Sequence, residues 1–231
     1  MITLRLSAER GHLNHGWLDT YHTFSFSEYR DPHHMHFRAL RVINEDRVAA
    51  GQGFGEHPHR DMEILTCILS GELQHRDSMG NGSIIRAGEW QRMSAGSGIT
   101  HSEFNPSPDQ SVHLLQIWLF PDEKGLTPEY EQRDFSQSPA NAWTVVASPD
   151  GQDGSLRIHQ DARLLQAKVT PGAQLTYDLP TGRYGWLQVM RGTVDANGHA
   201  LSAGDAAAYR EEPQVTLQAS TDAEVLLFDL S

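Results

Sequence analysis

Gly51-Gln52-Gly53-Phe54-Gly55-Glu56-His57-Pro58-His59 and, further along, Ser94-Ala95-Gly96-Ser97-Gly98-Ile99-Thr100-His101-Ser102-Glu103-Phe104-Asn105 each carry two potential metal ligands at positions i and i+2. Side chains two apart on an extended strand share a face, with alpha carbons roughly 6.5–7 Å apart, so one ion can be reached by both members of a pair. Two such strands side by side would supply three imidazoles and one carboxylate. The pattern predicts a metal site inside a β-barrel.

The sequence around these stretches reads as strands and turns. Upstream, Phe37–Asn44 alternates as a strand, and the aromatic-rich Gly16–Phe26 could cover a barrel mouth. Ile64-Leu65-Thr66-Cys67-Ile68-Leu69 is an apolar run of strand length, consistent with burial on both faces. Asn81-Gly82 is a hairpin signal, Arg86-Ala87-Gly88-Glu89 a further turn, and Val112–Phe120 a strand closed by Pro121. No segment before Pro121 has a helical period. Residues 121–140 form a polar connection, and the halves are expected as barrels over 1–130 and 131–231.

The second half repeats the punctuation of the first. Leu69–Leu73, Asn81-Gly82 and Arg86–Glu89 are matched in order by Met190–Val194, Asn197-Gly198 and Ser202–Asp205. Carrying the offsets of His57, His59, His101 and Glu103 across to the second copy lands on Asp178, Pro180, Leu217 and Ala219. The second half has no ligand quartet.

Bulk properties bound the function. Formal net charge is −12, from 18 basic and 30 acidic residues, which disfavours direct binding to a phosphate backbone or an anionic membrane. A small molecule or a protein is the better expectation for a partner. No window approaches the ~18 apolar residues of a membrane span, and the N-terminus turns polar too soon for a signal peptide. Cys67 is the only cysteine, so no internal disulfide can form and a reducing cytoplasm fits.

The motifs carry a family resemblance. Gly51, His57-Pro58-His59 and Glu63 resemble the first cupin motif, with Gly71 one residue late; Gly98, His101 and Asn105 resemble the second, with Gly88 two residues early. His57-Pro58-His59-Arg60 and Ser94–Glu103 are similar to the pirin family in particular, and the resemblance runs on to His159-Gln160-Asp161. It implies an all-β bicupin of two tandem antiparallel barrels, with metal kept only in the N-terminal one. His57, His59, His101 and Glu103 are the implied ligands and iron the usual metal. Bacterial members are similar to quercetin 2,3-dioxygenases, which open a flavonol ring with O2 and release CO; animal members are linked to transcription-factor regulation.

From the residues alone, three imidazoles and a carboxylate suit one divalent first-row ion among Fe, Mn, Ni, Cu and Zn. The lack of thiolates argues against a closed structural zinc. Glu63 rivals Glu103 as fourth ligand, since even spacing from His57 would put it on the same strand face. The pirin-type match favours Glu103, leaving Glu63 as a buried group near the site. Glu103 is also the expected base for a flavonol hydroxyl. His33, His34 and His36 read as a solvated turn after Pro32. His75, His113 and His159 read as ordinary core or surface histidines, and Cys67 as a core residue. Phe24, Phe26, Phe54 and Trp118 could line a flat pocket or simply pack the core.

The expectation is a metal-dependent dioxygenase, Fe(II) its leading metal, acting on a planar polyphenol with O2. A non-enzymatic metal-bound redox sensor that modulates a protein partner is the alternative.

Overall fold

The computed structural model describes residues 1–231, and every regular element longer than three residues is a strand. The chain is all-β, as its alternation and glycine punctuation predict. It forms two compact units: residues 11–136 with 156–160, and residues 1–10 with 137–155 and 161–231.

In the first unit, a seven-stranded antiparallel sheet runs in the order Glu129–Asp134, Glu89–Ser94, Glu63–Ser70, Val112–Leu119, Leu40–Val48, Leu18–His22, Gly11–Asn14. A four-stranded sheet, Gly53–His59, Ile99–Phe104, Glu72–Asp77, Gly82–Arg86, completes the barrel. Leu73 and Ile85 of the smaller sheet pack with Leu18, Val48, Ile68, Val112 and Leu114 of the larger in one apolar cluster. That cluster fills one part of the barrel and leaves the His-bearing part polar.

The second unit has the same plan. Its larger sheet includes, in order, Ile2–Arg5, Ala206–Tyr209, Tyr184–Arg191, Ala223–Leu230, Ala162–Val169 and Thr144–Ser148. Its smaller sheet is Gln174–Asp178, Gln214–Ala219, Thr193–Ala196, His199–Ser202. The repeat read from the sequence is therefore a structural repeat. Gly71 and Gly192 show why its glycines recur. Both have positive φ, 78° and 74°, and a Cβ at either would lie within 3.0 Å of backbone just ahead of another strand, at Ser111 O and Asp222 O.

The units differ from a cut at 130/131. Residues 1–10 go with the second unit, because Ile2–Arg5 pairs with Ala206–Tyr209. The first unit extends to Ser136, because Glu129–Asp134 pairs with Glu89–Ser94; the polar stretch 121–140 thus contains a strand whose hydrophilic residues sit on a half-exposed sheet edge. Two smaller expectations also shift. The strand anticipated at Phe37–Asn44 begins at Leu40 and runs to Val48. In the hairpin of Glu72–Asp77 with Gly82–Arg86, Gly82 already pairs with Arg76, so Asn81-Gly82 closes the turn rather than forming its centre.

Candidate metal centre

The strand carrying His57 and His59 lies antiparallel to the strand carrying His101 and Glu103, with His101 opposite His57. Alternation puts His57 and His59 on one face of their strand and His101 and Glu103 on one face of theirs, and in the shared sheet both turn inward. The ligating atoms of His57, His59 and His101 all lie within 4.8 Å of one another. His101 and Glu103 are 2% and 1% exposed.

Hydrogen bonds orient two of the rings. His57 Nδ1 donates to the Gly55 carbonyl at 2.7 Å, which leaves the Nε2 lone pair pointing inward. Asp77 Oδ2 accepts from His75 Nε2 at 3.1 Å, so His75 Nδ1 can accept from His101 Nδ1 at 3.5 Å, the outer limit of a hydrogen bond. His101 is thereby left with its own Nε2 bare. The two Nε2 atoms lie 3.0 Å apart. As two bare lone pairs they cannot bond each other, yet ligands at adjacent corners of an octahedral ion with ~2.1 Å bonds stand ~3 Å apart. The donors fit a divalent transition-metal ion. Burial, reinforced by the neighbouring imidazoles, holds His59 down to about 4 and His101 to about 3, so both rings are neutral at physiological pH, as metal binding requires.

Glu103 stands beside this cluster. Its carboxylate groups with His75 and His101 in a second set of potential ligands, so the two sets share His101. Gln91 donates to Glu103 Oε1 at 2.7 Å and Gln116 to Oε2 at 2.8 Å, leaving each oxygen a further lone pair. Gln91 is steadied in turn by Thr66 and Tyr130.

Gln91, Gln116 and Thr66 belong to one row across the larger sheet: His22 opposite Asn44, Asn44 opposite Gln116, Gln116 opposite Thr66, Thr66 opposite Gln91, and Gln91 opposite Gln132. Every member is polar. A cavity of about 280 Å³ opens between this row and the histidines. Phe26, Phe54 and Trp118 give it aromatic walls, with Trp118 edge-on to His59 at 4.9 Å. Its polar lining includes Asn44, Asp46, Glu103 and Gln116. Burial pushes the Asp46 carboxyl up to about 7, the nearby Glu103 charge adding to the effect against a lowering contribution from Thr20.

Other expected residues fall elsewhere. Glu63 is on Glu63–Ser70, a different strand from His57, because the chain turns at Asp61 (φ 50°); even spacing across a turn does not preserve the face. Glu63 instead accepts from Ser94 Oγ at 2.9 Å; burial raises its carboxyl above the usual carboxylate range, opposed in part by that hydrogen bond and the Arg92 charge. His34 and His36 are held in the turn by Asp31 and the Arg38 carbonyl. His113 meets Glu45, and His159 meets Glu129. Phe24 is core, 2% exposed. His75, expected as an ordinary core or surface histidine, is a core one with a second feature: it lies fully buried between Asp77 and His101, stacked on Tyr130 with centroids 4.7 Å apart, and groups with His101 and Glu103 as potential ligands. His75 and Asp77 are also an i, i+2 pair on a strand, the signal that could have found them.

Two family models match the chain, one over each half. Residues 3–119 match the family Pirin, and residues 145–230 match the Quercetinase C-terminal cupin domain. The chain is 52% identical over 230 residues to quercetin 2,3-dioxygenase of Escherichia coli K12, covering 100% of this chain and 99% of that one. A crystal structure of YhhW from Escherichia coli superposes with a TM-score of 0.97 at 52% identity, over 100% of this chain and 98% of the other. The same bacterial pirin in complex with nickel(II) gives 0.96 at 51% identity, over 100% and 99%.

Proposed function

The chain belongs to the pirin family, and from that premise we propose that it is a metal-dependent dioxygenase of the quercetin 2,3-dioxygenase type, opening a flavonol ring with O2 and releasing CO. The bicupin architecture comes with the family. The observation that carries the reading is the convergence of His57, His59 and His101 beside a partly aromatic cavity that His57, His59 and Glu103 line.

In this reading His57, His59, His101 and Glu103 hold one divalent transition metal in the first barrel, and the second barrel holds none. Fe(II) is the proposed ion; the nickel(II) complex of the Escherichia coli relative makes nickel the first alternative to test, with Mn, Cu and Zn after it. When bound, the metal supplies Lewis acidity to a substrate oxygen and open positions for oxygen chemistry. The protein's own groups do the rest. Phe26, Phe54 and Trp118 sandwich a planar ring system and exclude water. Glu103, fixed by Gln91 and Gln116, accepts the proton of the flavonol hydroxyl as general base. His75 and Asp77 keep His101 in the tautomer that offers Nε2. No helix is long and apolar enough to cross a membrane, and the lone, buried Cys67 is compatible with the cytoplasm proposed for it.

The test is oxygen consumption on adding quercetin to protein loaded anaerobically with Fe(II), Mn, Ni or Cu in turn, with His101→Ala as control. Metal-dependent uptake lost in the variant is the expected result. Stoichiometric metal without uptake would overturn the dioxygenase reading in favour of a redox sensor acting on a protein partner.

A further inference from the structure

The cavity wall opposite the histidines carries two buried acceptors that the proposed chemistry does not use. Asn44 and Asp46 alternate inward from Leu40–Val48, are 3% and 4% exposed, and both line the cavity. Asn44 Oδ1 and Asp46 Oδ1 have no hydrogen-bond partner. A buried acceptor without a donor is costly; Thr20 Oγ1, opposite Asp46 and also unpartnered, is one hydroxyl beside two acceptors, which leaves acceptor capacity for donors from outside the chain. The neighbouring Gln116 donates one amide N–H to Glu103, and its second N–H reaches neither acceptor. Phe26, Phe54 and Trp118, with Leu13 and Leu18, give the cavity apolar and aromatic surface that suits a flat ring system.

We propose that Asn44 and Asp46 form a hydroxyl-reading subsite, accepting O–H donors from a polyhydroxylated aromatic ligand whose opposite end faces the histidines. The subsite rests on the flavonol reading and narrows its substrate class. It selects rings bearing hydroxyls beyond the one directed at the metal, and it rejects analogues that lack them or carry them as methyl ethers. The rejection has a physical cause: such a ligand would seal two acceptors from water without supplying a donor. Asp46 accepts whether or not it is ionised, since a protonated carboxyl keeps acceptor capacity.

The experiment is anaerobic equilibrium dialysis of the Ni(II)-loaded protein against quercetin and against 3-hydroxyflavone, which keeps only the metal-directed hydroxyl. Wild type is expected to bind quercetin about tenfold tighter or more, each satisfied acceptor contributing a factor of roughly five. Asn44→Leu and Asp46→Leu should each lower that ratio severalfold with nickel stoichiometry unchanged. Asp46→Asn, whose amide oxygen still accepts, should keep most of it. Should the leucine variants not fold, quercetin methylated at every oxygen except O3 makes the same test on wild type, and should bind no tighter than 3-hydroxyflavone. A wild-type ratio near one, undiminished preference in the leucine variants, or full affinity for the methylated ligand would each overturn the subsite. If neither flavonol binds wild type, the flavonol reading itself falls, which is a distinguishable result.

Discussion

The same row of the larger sheet has opposite chemistry in the two barrels. In the first it reads His22, Asn44, Gln116, Thr66, Gln91, Gln132. In the second, the corresponding strands place Val145, Leu165, Leu227, Leu187, Ala207 and Leu4 opposite one another. The smaller sheets differ in the same sense. Where His101 faces His57 in the first barrel, Leu217 faces Leu175 in the second, both within its apolar core. One scaffold thus supports either a wet, ligand-orienting interior or a dry packed one. Backbone topology is indifferent to the choice, because strand pairing uses main-chain groups and leaves the inward side chains free to vary.

The sharpest way to break the comparison is to remove its functional pole. His101→Ala should abolish metal retention, since His101 belongs to both sets of potential ligands; metal content after gel filtration checks this, and oxygen uptake with quercetin should vanish with it. Next in size is a polar intrusion into the dry barrel. Leu227→Asn buries an amide with no donor or acceptor opposite it and should cost about 3–5 kcal/mol, read from the urea midpoint, with the first barrel's metal content unchanged.

The converse swap makes the first barrel resemble the second. Thr66→Leu with Gln91→Ala removes the support of Glu103 Oε1 while keeping His57, His59 and His101. Metal affinity should fall ten- to a hundredfold in competition with a chelator, and the fold should persist. Asp77→Asn is subtler. Its amide would donate to His75 Nε2, reversing the proton order through His75 and leaving His101 with a hydrogen on Nε2. About a tenfold loss of metal affinity is expected, and His75→Phe should produce a similar loss by a different route.

The smallest effect is in pH. His59 and His101 titrate near 4 and 3 when folded and near 6.5 when unfolded. The unfolded chain therefore binds more protons between about pH 6.5 and 4, so metal-free protein loses stability as pH falls through that window. Asp46, near 7 folded against 3.8 unfolded, pulls the other way with one proton against two. The drop in urea midpoint from pH 6.5 to 4.5 should be smaller in His59→Gln than in wild type.

Much of this was legible along the chain. Apolar runs, glycine turns and the matched punctuation of Gly71 with Gly192 located the strands and the repeat, because these signals lie within a few residues of one another. The i, i+2 histidines were legible for the same reason. The polar row was not. Thr66 is a single hydroxyl inside Ile64–Leu69, and Gln116 a single amide inside Val112–Leu119; each looks unremarkable until six strands are laid side by side. Counting along the chain also set Asp178 against His57, whereas strand pairing makes Leu175 the counterpart if Leu217 matches His101, because the connecting loops differ in length.

By itself, then, the sequence determined that the chain is all-β, that it repeats, and that the clustered potential ligands lie in its first half. Those follow from local periodicity and local spacing. The tertiary structure decided which carboxylate faces the histidines, which histidine orients another, and where the unpartnered acceptors of Asn44 and Asp46 lie. Such facts depend on register between strands far apart in sequence, and register is settled only when the whole inward face is buried at once.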